Sequence, residues 1–485
     1  MSQELDADVI IIGSGFGGVS MALEIQRRAL GSYLILERAE SLGGTWRDNT
    51  YPGAACDVPA SLYRYSFAPH SWSRRYPPHH EILAYLTDVA TTRGVSEHIH
   101  FSQTVTTLSW NDRGRCWDVT TADGTLRRAR YVVDAIGQLS RPATADIAGR
   151  DDFAGPSFHT ARWDHSVDLT DKRVAIVGTG ASAIQVAPAI ADRVASLTIF
   201  QRSAPYVLEK NDPTNSARRR WTQKWLPGLQ KPARLRSFIL GEVFAAGIVG
   251  NLKLRATFTG GWQKYRDEVI TDSELRRATT PDYALGCKRV LFSSEWYPTL
   301  NKPHVELVTT PIEKLDARGV LLRDGRHLDV DVVVWATGFE TASFTGDLEI
   351  TGREGQGLKD LWGARPFAHR GVSVPQFPNF FFLYGPNTNL GSNSIIYMLE
   401  TQSSYIGSLL RAFRDQGGAP REIDADVAAE FVASMDRASE KSSWMSSCSS
   451  WYTHGGINTN NWPGSTSSYR RLLRQVDVEN YRAIQ

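Results

Sequence analysis

The sequence predicts an α/β protein made of two parallel-sheet units, with a helical insertion in the second. Three observations carry that expectation. An apolar run from Val9 to Ile12 enters Gly13-Ser14-Gly15-Phe16-Gly17-Gly18, and a helix-period stretch then leads to a second strand, Tyr33 to Leu36, ending at Glu37. The same succession recurs downstream as Val174 to Val177, Gly178-Thr179-Gly180-Ala181-Ser182-Ala183, a helix, and a strand ending at Arg202. Short buried strands alternating with helices are how doubly wound parallel sheets read in sequence. Before strand-like sequence resumes at VELVTT, residues 208–280 turn basic, aromatic and helix-like.

At 485 residues the chain exceeds one ordinary core. The expected division is a discontinuous first domain, 1–145 with 330–485, around a second, 150–330, that carries the insertion 208–280. Composition is ordinary for a globular chain, and a net charge of +2 gives no case for nucleic acid. Cys56, Cys116, Cys287 and Cys448 lack metal-site or disulfide-reductase spacing, so four reduced thiols and no metal are expected, in a cytoplasmic protein. The acidic start MSQELDADVIIIG runs straight into a strand and does not read as a secretion signal.

The longest apolar run, Phe238 to Gly250, contains Glu242 and falls short of the ~20 residues of a spanning helix. It is read as a helix lining an apolar cavity, with a surface helix dipping into a membrane as the alternative. The run Arg218-Arg219-Arg220 reads as a solvated helix face. The C-terminal stretch SSWYTHGGINTNNWPGSTSSYR reads as ordered loops.

The glycine loops point to dinucleotides. The first glycine of each permits a tight turn, the second lets backbone approach a pyrophosphate, and the third position needs a small residue for helix–strand packing. Gly13, Gly15 and Gly18 fill these positions in the first loop; Gly178, Gly180 and Ala183 fill them in the second. Each loop opens a helix whose N-terminus offers free N–H groups to phosphate. The residue at the end of each second strand, Glu37 or Arg202, then distinguishes the two. Glu37 suits the hydroxyls of an unphosphorylated ribose, as in FAD, and would repel a 2′-phosphate. Arg202 would pair with that phosphate, so the second loop should prefer NADPH.

Further segments are more specific. FAGPSFHTARWD (Phe153, Gly155, His159, Trp163, Asp164) precedes the second loop, and GGTWRDNTYPGAACD runs from Gly43 to Asp57. WATGF, GCKR (Gly286 to Arg289), YGPNTNLGSNS and SWY…WPG complete the set. On these motifs, over nearly its whole length, the chain resembles class B flavin monooxygenases, and among them type I Baeyer–Villiger monooxygenases. SSWMSSC and RPFAHRGVSV depart from the pattern, which bears on substrate rather than cofactor.

The resemblance implies an enzyme that uses FAD, NADPH and O2 to insert one oxygen beside a ketone carbonyl, through an anionic flavin peroxide, giving an ester or lactone. It implies Arg289 as the catalytic cation, oriented by Asp57. It assigns Thr45, Trp46, Asp57, Val58 and Tyr63 to the FAD side. Tyr51, Thr179, Ser182, Gln185, Lys288, Arg289 and Trp451 join Gly178, Gly180 and Arg202 on the NADP side. His159 becomes a hinge residue rather than a general base. Arginine suits its role because it stays charged at any working pH and offers several donors. Two other readings stand beside this one: an N- or S-oxygenating flavin monooxygenase, and a non-catalytic flavin redox sensor.

Overall fold

The computed structural model describes residues 4–341, 343–445, 450 and 452–484. Ala7–Ile12 is the centre of the first sheet, paired in parallel with Tyr33–Leu36 on one side and Leu126–Asp134 on the other. Val9, Ile10 and Ile11 have no exposed surface, as a strand covered on both faces requires. Ile99–His100 extends one edge; antiparallel Cys116–Thr121 and Val105–Asn111 extend the other, followed by Glu349–Thr351. Phe380–Phe382 pairs with the far end of Leu126–Asp134, so the C-terminal part of the chain returns to this sheet. The long helix Ile395–Asp415 packs on the glycine-loop helix Phe16–Arg28.

The second sheet is wholly parallel, in the order Val305–Val308, Ser196–Phe200, Arg173–Val177, Val332–Trp335, Ser157–His159. This moves the boundary expected at 330. Val332–Trp335 is buried inside the second sheet, between two of its strands, so the chain leaves that unit only after Trp335. The outgoing and returning crossings run side by side. Pro142 bridges Phe339, Ala143 N–H donates to Gly338 O (2.9 Å), and Thr337 Oγ1 donates to Ala143 O (2.6 Å).

The insertion is helical, as expected: Ala217–Trp225, Gln230–Val249, Leu252–Val269 and Ser273–Ala278. The pair Val207–Leu208 with Leu291–Phe292 closes its base. Its longest helix, Gln230–Val249, lies on the first unit although the chain enters it from the second. Arg234 Nη1 donates to the carbonyls of Ser61, Leu62 and Arg64 (3.1–3.4 Å), and its Nη2 sits 3.7 Å from Glu400 Oε2. Glu242 accepts from Thr466 N–H (2.9 Å) and Ser467 N–H (3.1 Å).

The structure divides the run Phe238 to Gly250, which lines no part of the large cavity between the glycine loops. Ala245 and Ile248 are buried and Phe244 packs against the Tyr206–Trp262 cluster, while Ile239, Leu240 and Val243, with Leu235 before them, are exposed. Among the described residues no single helix is long and apolar enough to cross a membrane.

Two smaller corrections follow. The C-terminal stretch is not all loop, since Thr466–Arg474 forms a helix capped by Ser465, whose Oγ accepts from Ser468 N–H (3.0 Å). The four thiols do not share one state. Cys56 and Cys116 are buried thiols outside any disulfide, Cys287 is disulfide-bonded, and Cys448 lies outside the described residues.

Arg234→Met would leave three carbonyls and a carboxylate without their cation. We expect a loss of about 2 kcal/mol, read as a lowered denaturant midpoint; an unchanged midpoint would show that this helix does not depend on the Arg234 contacts.

Candidate active site

The two glycine loops face one cavity of about 1410 Å³. An ordinary small-molecule pocket holds roughly 300–1,000 Å³, so this space suits more than one large ligand. Gly13 (φ +100°) and Gly178 (φ +109°) make equivalent turns in the left-handed region. A Cβ on either would lie 2.8 Å from Ala135 O or 2.5 Å from Ala336 O, each the backbone of the neighbouring strand end. Gly18 lies outside the cavity wall, where a Cβ would collide with Gly13 O; its place is the helix–strand contact. The helices Phe16–Arg28 and Ala183–Ile190 both begin without a side-chain cap or an acidic residue in the first turn. Their free N–H groups are therefore available to an anion.

The strand ends differ as the sequence led one to expect. Glu37 is buried and accepts from Ser14 N–H (2.8 Å), Ser14 Oγ (2.7 Å) and Arg47 Nη1 (3.0 Å). That leaves a fixed carboxylate at the rim of the first loop. On the second unit Arg202, Ser203 and Lys288 line the same wall. Lys288 Nζ donates to Ser203 Oγ (2.7 Å) and lies 4.8 Å from the Tyr283 ring centroid. Burial, and then the charge of Arg202, pull the lysine pKa down. Two cations held against their own repulsion suit a dianionic phosphate.

The segment between Gly44 and Tyr63 joins the units. Trp46 Nε1 donates to Tyr63 Oη (3.0 Å), and with Val58 these rings pack on the first core. Thr45 starts a single helical turn beside the first loop. Tyr51 and Ala54, by contrast, belong to the core of the second unit. Tyr51 Oη donates to Gln185 Oε1 (2.9 Å), and Gln185 Nε2 donates to Ala55 O (3.0 Å). Gly53 (φ +82°) lets the turn press directly on the Gln185 backbone.

Asp57 sits where this segment changes sides, and there it meets Arg289. Arg289 Nη2 donates to Asp57 Oδ2 at 2.6 Å and Nε donates to the same oxygen at 3.1 Å. Burial pushes the Asp57 carboxyl up, but the charge and hydrogen bonds of Arg289 outweigh it and hold it below the usual range. The Asp57 charge in turn raises the Arg289 pKa further. Sequence reasoning missed the residues around this pair. Tyr452, whose phenol burial pushes up to about 12, and Tyr384, held by Asn389 Oδ1 (2.6 Å), both feel the arginine charge. The signal was available, because both lie inside YGPNTNLGSNS and SWY. Trp451, the expected neighbour of Tyr452, lies outside the described residues.

The FAGPSFHTARWD residues line no part of the cavity. Phe153 is buried in the second unit, and Gly155 lies close against Asp331 O and the Phe153 ring. Trp163 packs edge-on against Phe158 (5.0 Å), and Asp164 accepts from Ser166 N–H (2.9 Å) in a local turn. His159 ends the edge strand beside Trp335, with its ring 5.9 Å from Phe339 on the returning crossing. Burial pushes its pKa down to about 4, so the ring is neutral at working pH. It sits beside the crossings and away from the chemistry.

Two dinucleotide cradles sharing one cavity, with a fixed cation between them, define a two-nucleotide oxidoreductase. Residues 10–234 match the family model described as pyridine nucleotide-disulphide oxidoreductase. The chain is 38% identical to a Baeyer–Villiger monooxygenase of Streptomyces coelicolor, over 98% of this chain and 92% of that one. In structure it is similar to an oxidized steroid monooxygenase bound to NADP (TM-score 0.88, 30% identity, 99% of each chain). It is equally similar to the closed form of cyclohexanone monooxygenase (TM-score 0.90, 26% identity, 100% of each chain). The chain belongs to the Baeyer–Villiger monooxygenase family. It is therefore an enzyme, and the redox-sensor reading falls away.

Asp57→Ala would leave the Arg289 charge in the cavity wall without its counter-ion. The expected loss is about 2–4 kcal/mol of stability, with Asp57→Asn milder; equal stability of all three proteins in denaturant would mean that solvent already screens the pair.

Proposed function

We propose that this enzyme binds FAD on the Gly13 loop and NADPH on the Gly178 loop, and oxidises a ketone with O2. The overall change is ketone, NADPH, O2 and a proton to ester or lactone, NADP+ and water. The observation that carries the reading is the Arg289–Asp57 pair, set in the shared cavity between the two loops. FAD, reduced at the expense of NADPH, supplies the electrons that activate oxygen. The protein's own residues supply binding, orientation and charge. Gly13, Gly15 and the N-terminus of Phe16–Arg28 would hold the FAD pyrophosphate, Glu37 its ribose, and Thr45, Trp46, Val58 and Tyr63 the rest of that wall. Gly178, Thr179, Gly180, Ser182 and Gln185 would seat NADPH, with Arg202 and Lys288 on its 2′-phosphate. Tyr51 latches the two sides together.

Arg289 has the part that needs a permanent cation. Negative charge develops on the ketone oxygen as the carbonyl is attacked, and a guanidinium fixed beside it stabilises that charge without reorganising at the moment of reaction. Asp57 aims the guanidinium, because a charge-assisted bond from both Nη2 and Nε fixes the plane of the group. N- or S-oxygenation makes no such demand, which is why the ketone reading is favoured over that rival. The dependence on NADPH places the enzyme, in this reading, in the cytoplasm.

Mass-spectrometric product analysis over cyclic, linear, aromatic and steroid ketones tests the reaction class, with a sulfide as control. Arg289→Ala should retain FAD and some NADPH oxidation while losing ester formation; ester at the wild-type rate would remove Arg289 from the chemistry. Arg202→Ala should raise KM for NADPH about tenfold, roughly 1.4 kcal/mol, and leave KM for NADH nearly unchanged. Equal losses with both nucleotides would show that Arg202 does not read the phosphate.

A further inference from the structure

The outer face of the helical insertion is built the wrong way round for contact with water. Helix Gln230–Val249 turns Arg234, Ser237 and Glu242 to the protein body, while Lys231 and Arg236 stay exposed. Outward it presents Leu235, Ile239 and Val243, at i, i+4 and i+8, with Leu240 beside them. The helix and turn before it add Trp221, Trp225 and Leu229, and the next helix opens with Leu252, which is 70% exposed. Of the thirteen large exposed apolar side chains among the described residues, nine lie between Trp221 and Leu252. Single exposed apolar residues are normal, but a cluster of this kind marks a surface that something covers.

The charge around the patch says what covers it. From Pro213 to Arg266 the only acidic residue is Glu242, and backbone N–H groups of Thr466 and Ser467 already hold it. Between the insertion and the first unit lies a cavity of about 320 Å³ lined by Arg74, Arg75, Arg219 and Arg236, with Leu229 and Leu240 in the same wall. Arg74 pairs with Asp212 (2.9 Å); among the described residues the other three have no ion pair. Guanidinium groups without carboxylates suit phosphate oxygens, and aliphatic and Trp side chains beside them suit the acyl boundary beneath.

A second copy of the chain fits this face poorly, because a two-fold contact would set one arginine cluster against the other. Nucleic acid would leave the aliphatic stripe uncovered. We infer that this face docks on the surface of a bilayer containing anionic phospholipids, with the arginine-lined cavity receiving a headgroup phosphate.

Among the described residues no single helix is long and apolar enough to cross a bilayer; Gln230–Val249 and Leu252–Val269 reach that length and composition only together, across a 105° bend, and in the docking inferred here they lie on the surface. The first of these touches the catalytic cavity from behind: Asn393 lines that cavity and its Nδ2 donates to Glu242 Oε1 (3.3 Å). Docking would therefore place the site beside a phase in which apolar ketones concentrate. The docking itself does not depend on the reaction proposed above.

The test is flotation of the FAD-loaded enzyme with vesicles of phosphatidylcholine alone and of phosphatidylcholine with phosphatidylglycerol. We expect flotation only with the anionic vesicles, and release in ~1 M salt, where screening is nearly complete. The variant Trp221→Ser/Trp225→Ser/Leu235→Ser/Ile239→Ser should stay with the unbound fraction while keeping its FAD and its turnover in solution. Arg219→Glu/Arg236→Glu should lower affinity for the anionic vesicles about tenfold. Failure of the wild type to float would overturn the inference, as would flotation of the four-fold variant at the wild-type level. Two further results would overturn it: a dimer in sedimentation that those four substitutions dissolve, or complete displacement by millimolar inorganic phosphate with no effect of the apolar substitutions.

Discussion

The constraint on which the rest of this structure turns is a guanidinium held in a cavity wall by one carboxylate. A charge drawn out of bulk water is tolerated only beside a partner, and the partner compensates the lost hydration only where the geometry of the pair is good. Arg289 and Asp57 come from opposite halves of the chain, Asp57 beside Cys56 of the first core and Arg289 two residues before Leu291 of the second, so neither half can position the pair alone. What brings them together is the Gly44–Tyr63 segment, which gives Tyr51 and Ala54 to one core and Val58 and Tyr63 to the other. Moving the turn at Gly53 would move Asp57, because that turn rests directly on the Gln185 backbone.

The same demand explains the crossings. Two nucleotide units that must meet across a cavity need a connection that fixes their distance and still permits adjustment. Here the two crossings are hydrogen-bonded to one another near Ala143 and Gly338, and His159, neutral and half-buried, packs beside them. A histidine that could be protonated near pH 7 would tie that junction to proton concentration; burial removes the dependence. The FAGPSFHTARWD residues thus stand outside the cavity, and through His159 they pack against the returning crossing at Phe339.

What sequence could reveal followed from which rules are local. The glycine loops were legible because turn, phosphate approach and helix packing each demand a residue type within a few positions. Glu37 and Arg202 were legible because they end the strands those loops define. The departure of Val332–Trp335 from its expected domain was not legible, since a run of three valines and a tryptophan fits the interior of either sheet and only the pairing partners decide. Tyr452 and Tyr384 were hidden for a related reason: an aromatic in a loop motif reads the same whether it packs in a core or faces a guanidinium. Cys287 shows a third limit, for the state of a thiol depends on what the fold brings beside it, and spacing along the chain carries no such information.

The insertion helix shows how a composition can mislead about direction. An apolar run with a single glutamate invites the inference that the apolar side turns inward. Orientation is decided, however, by where the polar groups find partners, and Arg234 and Glu242 find theirs on the first unit, in the carbonyls near Ser61 and the N-terminus of Thr466–Arg474. With both charges anchored inward, helical geometry leaves Leu235, Ile239 and Val243 no choice but to face out. Burying those three instead would strand a cation and an anion at the surface and leave several backbone groups unpaired. That alternative costs about 1–3 kcal/mol for each buried group left unsatisfied, which offsets what burying the three aliphatic side chains would contribute. The apolar face is therefore a consequence of how the insertion is fastened, and its use as a docking surface builds on an orientation the fold already enforces.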